Sequence, residues 1–485
     1  MARFNTQAVG TKTVNYAGGE AYSESPKLDL VSIMLTSFVQ DQFYRSGDDT
    51  LAKLNTLIDA IPENTFIAKA AIYARTKFGM RSISHVVAAE LAHRNRYVSP
   101  VPKWTKRFIA SVVHRPDDIT EILSYYMGKY GKPTKQLKLG LAAAFGKFDE
   151  YQIAKYRSEN KEVKLVDAVN LCHPKPTEKN AEALKKLVAG TLRSTDTWES
   201  QLTTAGQRAE SEEEKEQFKK DAWLSLLRDK KIGYFALLRN LRNIMEQATE
   251  GIPDAVSMLT DRNLIKKSLV LPFRFLVAMR EIAQLPRSQV LLSALSQAVD
   301  ISCDNVPEFA GTTLVALDVS GSMSSTMGRA SYRYIDIAAL FAAALAKRGR
   351  TDVMQFEGDA AYVGVNPVDS VLTIAAHLSG TPGGSTNFHS IFDRAKGPYD
   401  RIIILSDMQG WVGHSSPVRT FAQWKQQYKC SPHVYSVDLA GYGTLQFPER
   451  NVYCLAGFSE KMFDIMKLLE QDRNALINEI EKVEI

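Results

Sequence analysis

Two stretches, "TTLVALDVS" at 312–320 and "RIIILSDM" at 401–408, hold unbroken apolar runs that meet an aspartate, directly in the first and after Ser406 in the second. Runs of this kind, bounded so closely, suit strands buried on both faces, which occur where helices cover a parallel sheet. "HVYSVDLA" (433–440) and "NVYCLAG" (451–457) read as two weaker strands, and "DVMQFEGDAAYVGV" (352–365) as an edge hairpin or a pair of strands. Helical runs lie between them at about 331–348, 387–396, 416–428 and 459–481. Alternation of strand and helix predicts a doubly wound, mostly parallel α/β domain over 306–485. Ligands in such folds sit at the carboxyl ends of the strands, where Asp318 falls.

Before about 305 the apolar period is helical. "LDLVSIMLTSFVQDQFY", "TFIAKAAIYARTKF", "SISHVVAAELAHRNR", "KQLKLGLAAAFGKF" and "IGYFALLRNLRNIMEQA" repeat apolar residues every three or four positions. Pro26, Pro62, Pro100, Pro102, Pro116, Pro133, Pro174 and Pro176 stand where helices should end or restart. The expectation for 1–305 is an all-helical domain of stacked helix pairs, an α-solenoid without a strict sequence period. The charge-mixed segment 196–222 reads as an exposed helix or insertion.

Charge divides along the same boundary. Residues 1–310 carry 44 Lys+Arg against 36 Asp+Glu, and 311–485 carry 16 against 18. Residues 69–115 hold ten basic side chains and one acidic one, Glu90, and 122–148 add Lys129, Lys132, Lys135, Lys138 and Lys147. Such a surface is either a solvated face or a footprint for nucleic acid. Cysteines 172, 303, 430 and 454 are scattered without C-x-x-C spacing, which argues for reduced thiols in a cytoplasm. No secretory leader is expected from the first residues, and the apolar run "IAALFAAALA" is too short to span a bilayer.

The aspartate at 318 begins a D-x-S-x-S pattern, Asp318, Ser320 and Ser322. Thr386 in the glycine-rich "SGTPGGSTNFHS" and Asp407 at the end of its strand should join them. Oxygen donors alone suit a hard divalent cation such as Mg²⁺. Ser385 precedes Thr386, and either hydroxyl is a candidate for the ion. The alternative, Asp318 and Ser320 as simple helix caps, leaves Thr386 and Asp407 without a role. "VSGSM" does not fit a nucleophile elbow, and no P-loop or H-E-x-x-H occurs, so no catalytic residue is expected.

These five residues, in order and strand context, resemble the metal-ion-dependent adhesion site of von Willebrand factor type A domains. Such a domain after a basic helical region is similar to the Ro autoantigen family, of bacterial or phage type, whose helical part is the TROVE module. The resemblance covers nearly the whole chain through "TVNYAGGEAY", "LVSIMLTSFVQDQFY", "AKYRSENKEVKLVDAVNLCHPKP", "GYFALLRNLRNI" and "LIKKSLVLPFRFLVAM". It implies HEAT-like helical repeats closed into a ring by the type A domain. It also implies a monomeric, non-enzymatic scaffold or chaperone in RNA quality control, holding structured small RNAs (Y RNAs) on its outer surface. Single-stranded 3′ ends of defective RNAs would enter the hole, and an exoribonuclease is an implied partner.

Residue by residue, the resemblance places structured-RNA contacts at His173 and Lys155, with Arg157 beside them, and departs from the family at Glu159. His173 equally suits a helix end before Pro174. Lys103, Lys106 and Arg107 flank Trp104 as a phosphate-binding entry, and Lys135 and Lys138 extend the basic stretch. Leu237, Leu238, Leu241 and Ile244 form a buried stripe that leaves Arg239 and Arg242 as RNA contacts or solvated charges. Two rival functions remain at this level: a protein-interaction module whose metal binds an acidic partner, and a metal-dependent nuclease.

Overall fold

The computed structural model describes residues 11–14, 20–23, 26–36, 47–157, 161–192, 202, 211–268, 270, 272–326, 333–380, 382–410, 417–440, 446–447, 451–456, 462–471 and 475–485. The chain divides into two compact units, one of 26–39, 48–200 and 474–485, the other of 1–25, 40–47 and 201–473.

The first unit is helical, and proline and capping residues set its elements. Pro116 opens the helix Pro116–Tyr130, and Asp118 three positions on accepts from the Arg115 backbone N–H at 3.0 Å. Thr134 caps Lys135–Phe145 through the Leu137 N–H. Helix Asn64–Lys77 packs on Ser82–Arg94, which packs in turn on Pro116–Tyr130. Trp104–Val112 meets Lys135–Phe145 at Gly140, where a Cβ would come within 2.7 Å of Ile109 and 3.0 Å of the Lys106 carbonyl. That close approach requires glycine. The last helix of the chain, Ala475–Glu481, packs on Asn64–Lys77, and the Lys69 ammonium donates to the Glu481 carbonyl.

The second unit contains further helices, among them Glu212–Arg228, Tyr234–Gln247, Pro272–Ile282 and Gln289–Ser302, and a six-stranded sheet. A small antiparallel pair, β1 (Thr11–Val14) and β2 (Glu20–Ser23), falls inside the segment expected to be wholly helical. The sheet strands are β3 (Thr312–Asp318), β4 (Arg350–Phe356), β5 (Ala360–Val363), β6 (Arg401–Ser406), β7 (His433–Asp438) and β8 (Val452–Ala456). Their order is β5-β4-β3-β6-β7-β8, parallel except for the antiparallel edge strand β5.

The two opening stretches become the central strands β3 and β6, with Leu314, Val315, Ile402, Ile403 and Ile404 fully buried. Helices Tyr334–Ala346, His389–Arg394 and Pro417–Tyr428 appear where expected; the single run expected at 459–481 is two helices, Met462–Gln471 and Ala475–Glu481, the second belonging to the other unit; and an unexpected helix, Val371–Ser379, is capped by Ser370. Phe388, Phe392, Phe421, Trp424 and Phe447 pack as an aromatic layer against the sheet. This layer and the central strands hold the strand ends rigidly in place.

Candidate metal centre and nucleic-acid interface

The register of β3 against β6 sets Leu317 opposite Leu405, so the next residues, Asp318 and Ser406, meet at the carboxyl end of the sheet. The Ser406 hydroxyl donates to Asp318 Oδ2 at 2.5 Å and accepts from the Met408 N–H at 2.9 Å. The Ser320 N–H donates to Asp318 Oδ1 at 2.8 Å, which turns the loop so that Ser320 Oγ lies 3.3 Å from Ser322 Oγ. The 383–386 loop closes over them: Gly383 donates to the Val319 carbonyl at 2.9 Å and Gly321 to the Gly384 carbonyl. Gly384 has φ +71°, a conformation that strains any other residue, and a Cβ there would sit 2.5 Å from the end of the Glu357 side chain.

Asp318, Ser320 and Asp407 are buried there, Ser322 is partly exposed, and Thr386 is a buried residue of the loop that closes over them. Thr386 is 3% exposed, whereas the Ser385 hydroxyl lies against Gly358 on the β4–β5 turn. Burial and the facing Asp407 push the Asp318 carboxyl well above the usual carboxylate range, and burial raises Asp407 as well. Around the two carboxylates stand serine hydroxyls, backbone N–H groups and the carboxylates themselves. Two buried acids without a basic partner among these neighbours are unstable as a charged pair. An all-oxygen donor set of this kind fits a hard cation rather than a thiolate-seeking metal.

A second cluster has no signature in the sequence pattern. His85, Asp118 and Glu121 bring their ligand atoms within 4.8 Å of one another. Here, however, Arg75 donates to Asp118 Oδ2 at 2.8 Å and Arg81 to Oδ1 at 2.6 Å, while Lys161 and Arg81 hold Glu121. The backbone N–H groups of His114 and Arg115 complete Asp118. These carboxylates are already neutralised, so the cluster is an ion network that ties three helices together, and a metal would have to displace arginines.

That network corrects the basic-surface expectation. Of the ten bases in 69–115, Arg75 and Arg81 are tied to Asp117, Asp118 or Glu121, and Arg115 to Asp117. Arg94 donates to the Ile58 and Ile61 carbonyls, and Lys69 to Glu481. Lys129 pairs with the buried Glu90, and Lys147 caps carbonyls of Ala110 and Val113. Lys77, Arg96, Lys103, Lys106, Arg107, Lys132 and Lys135 are exposed, and Lys138 is partly so. Lys103 precedes helix Trp104–Val112, which carries Lys106 and Arg107; Lys135 and Lys138 stand on the helix that touches it at Gly140.

His173 is an exposed left-handed cap, φ 51°, ending helix Leu165–Cys172. Lys155 is exposed beside Tyr151 and Tyr156, 6.0 and 5.7 Å from their ring centres. Arg157 instead donates to the Leu192 carbonyl at 2.5 Å, a structural contact, and Glu159 lies outside the described residues. Leu237, Leu238, Leu241 and Ile244 are buried as the helical spacing requires. They leave Arg239 and Arg242 on the outer side of their helix, with Arg242 paired to Glu246 at 2.9 Å.

A mostly parallel sheet with this oxygen cluster at its carboxyl end, in a chain rich in paired helices, defines a von Willebrand type A protein with a helical module. The TROVE domain model matches residues 36–221 and 190–296, and the Ro60 vWA domain model matches 312–469. The chain belongs to the Ro family of TROVE proteins. The crystal structure of the Ro (RSR) protein of Deinococcus radiodurans superposes with a TM-score of 0.67 at 18% identity, covering 91% of this chain and 99% of that one. Telomerase protein component 1 of Rattus norvegicus is 24% identical over 169 residues, 31% of this chain, and that of Mus musculus 25% identical over 143, 27% of this chain. The chain spans only 6% and 5% of those two proteins. Among the described residues no helix is long and apolar enough to cross a membrane. Membership in this family supports RNA binding.

Proposed function

We propose that this chain binds small structured noncoding RNAs, of the Y-RNA kind, and single-stranded RNA 3′ ends, and acts as a chaperone or scaffold in RNA quality control and decay. The observation that carries the reading is the set Lys103, Lys106, Arg107, Lys135 and Lys138, which stays at the surface of two touching helices while neighbouring bases are committed to internal partners. Lysine and arginine left in this way gain affinity for phosphate by releasing counterions, without reading sequence. His173 and Lys155, exposed on separate helix ends, supply contacts for a structured partner RNA. The free thiols of all four cysteines suit a reducing compartment such as the cytoplasm.

In the same reading, Asp318, Ser320, Ser322, Thr386 and Asp407 hold Mg²⁺, whose charge offsets the two buried carboxylates. Thr386 is favoured over Ser385 because it is the buried residue of the two, and the Ser385 hydroxyl lies by Gly358. In this reading the ion serves the fold and an outside oxygen ligand; a metal-dependent nuclease, in which the ion itself would activate a water, is the rival that RNA left intact by the chain with Mg²⁺ would exclude. An exoribonuclease is a fitting partner for such a scaffold. The second reading, an acidic protein partner at the ion, is favoured by the partial exposure of Ser322 at one side of the cluster. Filter binding of a structured RNA with a 3′ tail across a salt series tests the proposal. A steep loss of affinity with salt is expected; salt-independent or absent binding would leave the acidic-partner reading.

A further inference from the structure

The turn that carries Ser320 and Ser322 is anchored at both ends. At its start stands strand β3, where the Val319 N–H donates to the Phe356 carbonyl at 2.9 Å. Gly321–Ser324 then forms one tight helical turn, in which Met323 donates to the Ser320 carbonyl and Ser325 to the Ser322 carbonyl, each at 3.1 Å. At the far end the Tyr334 N–H donates to the Ser325 carbonyl at 3.1 Å, and Thr326 forms an antiparallel bridge with Arg333. Tyr334 opens helix Tyr334–Ala346 and Arg333 precedes it, so whatever fixes the start of that helix also fixes the far side of the turn.

Asp336 fixes it. Its carboxylate accepts from the Arg333 backbone N–H at 2.9 Å, as an acid at the third position of a helix ordinarily does. The Arg333 guanidinium adds bonds of 2.7 and 3.2 Å to the other oxygen. A further bond comes from outside the sheet and its covering helices: Arg280, on helix Pro272–Ile282, donates to Asp336 Oδ2 at 2.6 Å. Burial alone would raise the Asp336 carboxyl, but the hydrogen bonds from Arg333 and Arg280 outweigh it and hold it below the usual carboxylate range. A continuous path of bonds thus runs from Arg280 through Asp336, Arg333 and Tyr334 to Ser325, and from Ser325 to Ser322. Ser320 adjoins the strand and is buried, whereas Ser322 is partly exposed and lies nearer the far anchor. We propose that Arg280 and Asp336 are positioning residues for the ion site, holding the far anchor of the turn so that the Ser322 hydroxyl stays in place. Helix Pro272–Ile282 thereby sets the ion affinity of the sheet. The inference rests on the Mg²⁺ reading above and adds to it two residues that touch none of the five proposed ligands.

The test is isothermal titration of the full chain with Mg²⁺, beside thermal melts in EDTA that report folding without the ion. Arg280→Gln removes one bond from Asp336 and should weaken Mg²⁺ binding about three- to tenfold, less than the roughly 10- to 100-fold loss caused by removing a group that touches a ligand directly. Asp336→Asn should weaken it further, since Arg333 loses its partner as well. Arg280→Lys keeps a cation within reach of the same oxygen and should restore most of the affinity. Arg262→Gln breaks a different arginine–aspartate pair of the same unit, the 2.7 Å contact with Asp304, and should leave Mg²⁺ affinity at the wild-type level. Unchanged affinity in Arg280→Gln, whatever its melt, overturns the positioning role while the ion site stands. An equal loss in Arg262→Gln overturns it too, because the effect would then be general loosening of the unit. Absence of Mg²⁺ binding by wild type overturns the ion reading and this inference with it.

Discussion

Ser406 and Asp318 lie 88 positions apart in sequence, and the hydroxyl of one donates to the carboxylate of the other at 2.5 Å. The bond fixes Asp318 while its other oxygen is held by the Ser320 N–H. Ser406 therefore positions the carboxylate without being one of the five proposed ion ligands. Ser406→Ala should lower Mg²⁺ affinity about 10- to 100-fold, as loss of an outer-shell hydrogen bond does. Asp318→Ala and Thr386→Ala should abolish it, with affinity for RNA nearly unchanged in all three. Isothermal titration with Mg²⁺ separates these outcomes, and equal Mg²⁺ affinity in wild type and all variants would contradict the site.

The ion network around Asp118 predicts acid lability. Burial alone would raise the Asp118 carboxyl, but His85, the His114 N–H and Arg81 outweigh it and hold it far below the usual range. Glu121 is likewise held down to about 2 by His85, Lys161 and Arg81 against its burial. A carboxylate with a depressed folded pKa contributes stability that is complete above its unfolded pKa, near 4, and is lost as pH falls through the folded value. Thermal melts should therefore drop steadily from about pH 5 downward. Asp118→Asn should lose about 3–5 kcal/mol at pH 7, because Arg75 and Arg81 are left without their buried partner. Its melting temperature should also depend less on pH between about 5 and 3 than that of wild type. Circular dichroism melts at several pH values check both points, and a parallel pH dependence in the variant would refute the assignment.

The exposed bases predict a graded salt effect. Replacing Lys103, Arg107, Lys135 and Lys138 together by glutamine should weaken binding of any 3′-tailed RNA. The slope of log affinity against log salt should fall by about 0.7 for each single-strand phosphate that is no longer neutralised. Replacing Lys129 and Lys147, which are engaged with Glu90 and with helix-end carbonyls, should act on stability instead. Filter binding and melting curves on the same two variants make the comparison. Equal RNA effects from both would mean that surface charge in general, not this set, does the binding.

His173 and Lys155 predict selectivity. His173→Ala with Lys155→Ala should weaken a structured small RNA more than an unstructured strand of the same length. Arg157→Ala should lower stability without that selectivity, since its side chain holds the Leu192 carbonyl. Competition binding with the two RNAs reads the ratio directly. A proportional loss for both RNAs would refute a structured-RNA contact.

The central strands are legible in the sequence because apolar runs ending in aspartate have few alternatives once helices flank them. The helix starts are legible for a related reason: Pro26, Pro116, Pro272 and Pro417 each open one. Helix Val371–Ser379 is not, because its short apolar run carries β-branched Val371, Thr373 and Ile374, which read as readily as strand. The fate of the bases is hidden too. Asp117, Asp118 and Glu121, which neutralise Arg75, Arg81 and Arg115, lie just beyond the acid-poor window, and only the packing of three helices brings them inward. Ser406 is hidden for another reason: its role comes from strand register, and nothing in "LSD" marks the serine apart from its neighbours. Arg280 and Asp336 belong to different helices, so their meeting is a tertiary fact.

The most direct measurement of the central claim is sequencing of the RNA that copurifies with the chain, wild type beside the Lys103, Arg107, Lys135 and Lys138 variant. The account predicts a few discrete small noncoding RNAs, together with fragments bearing single-stranded 3′ tails, enriched with wild type and depleted with the variant. RNA no more abundant than on a bare matrix, or a profile that merely mirrors total cellular RNA in both samples, would contradict it.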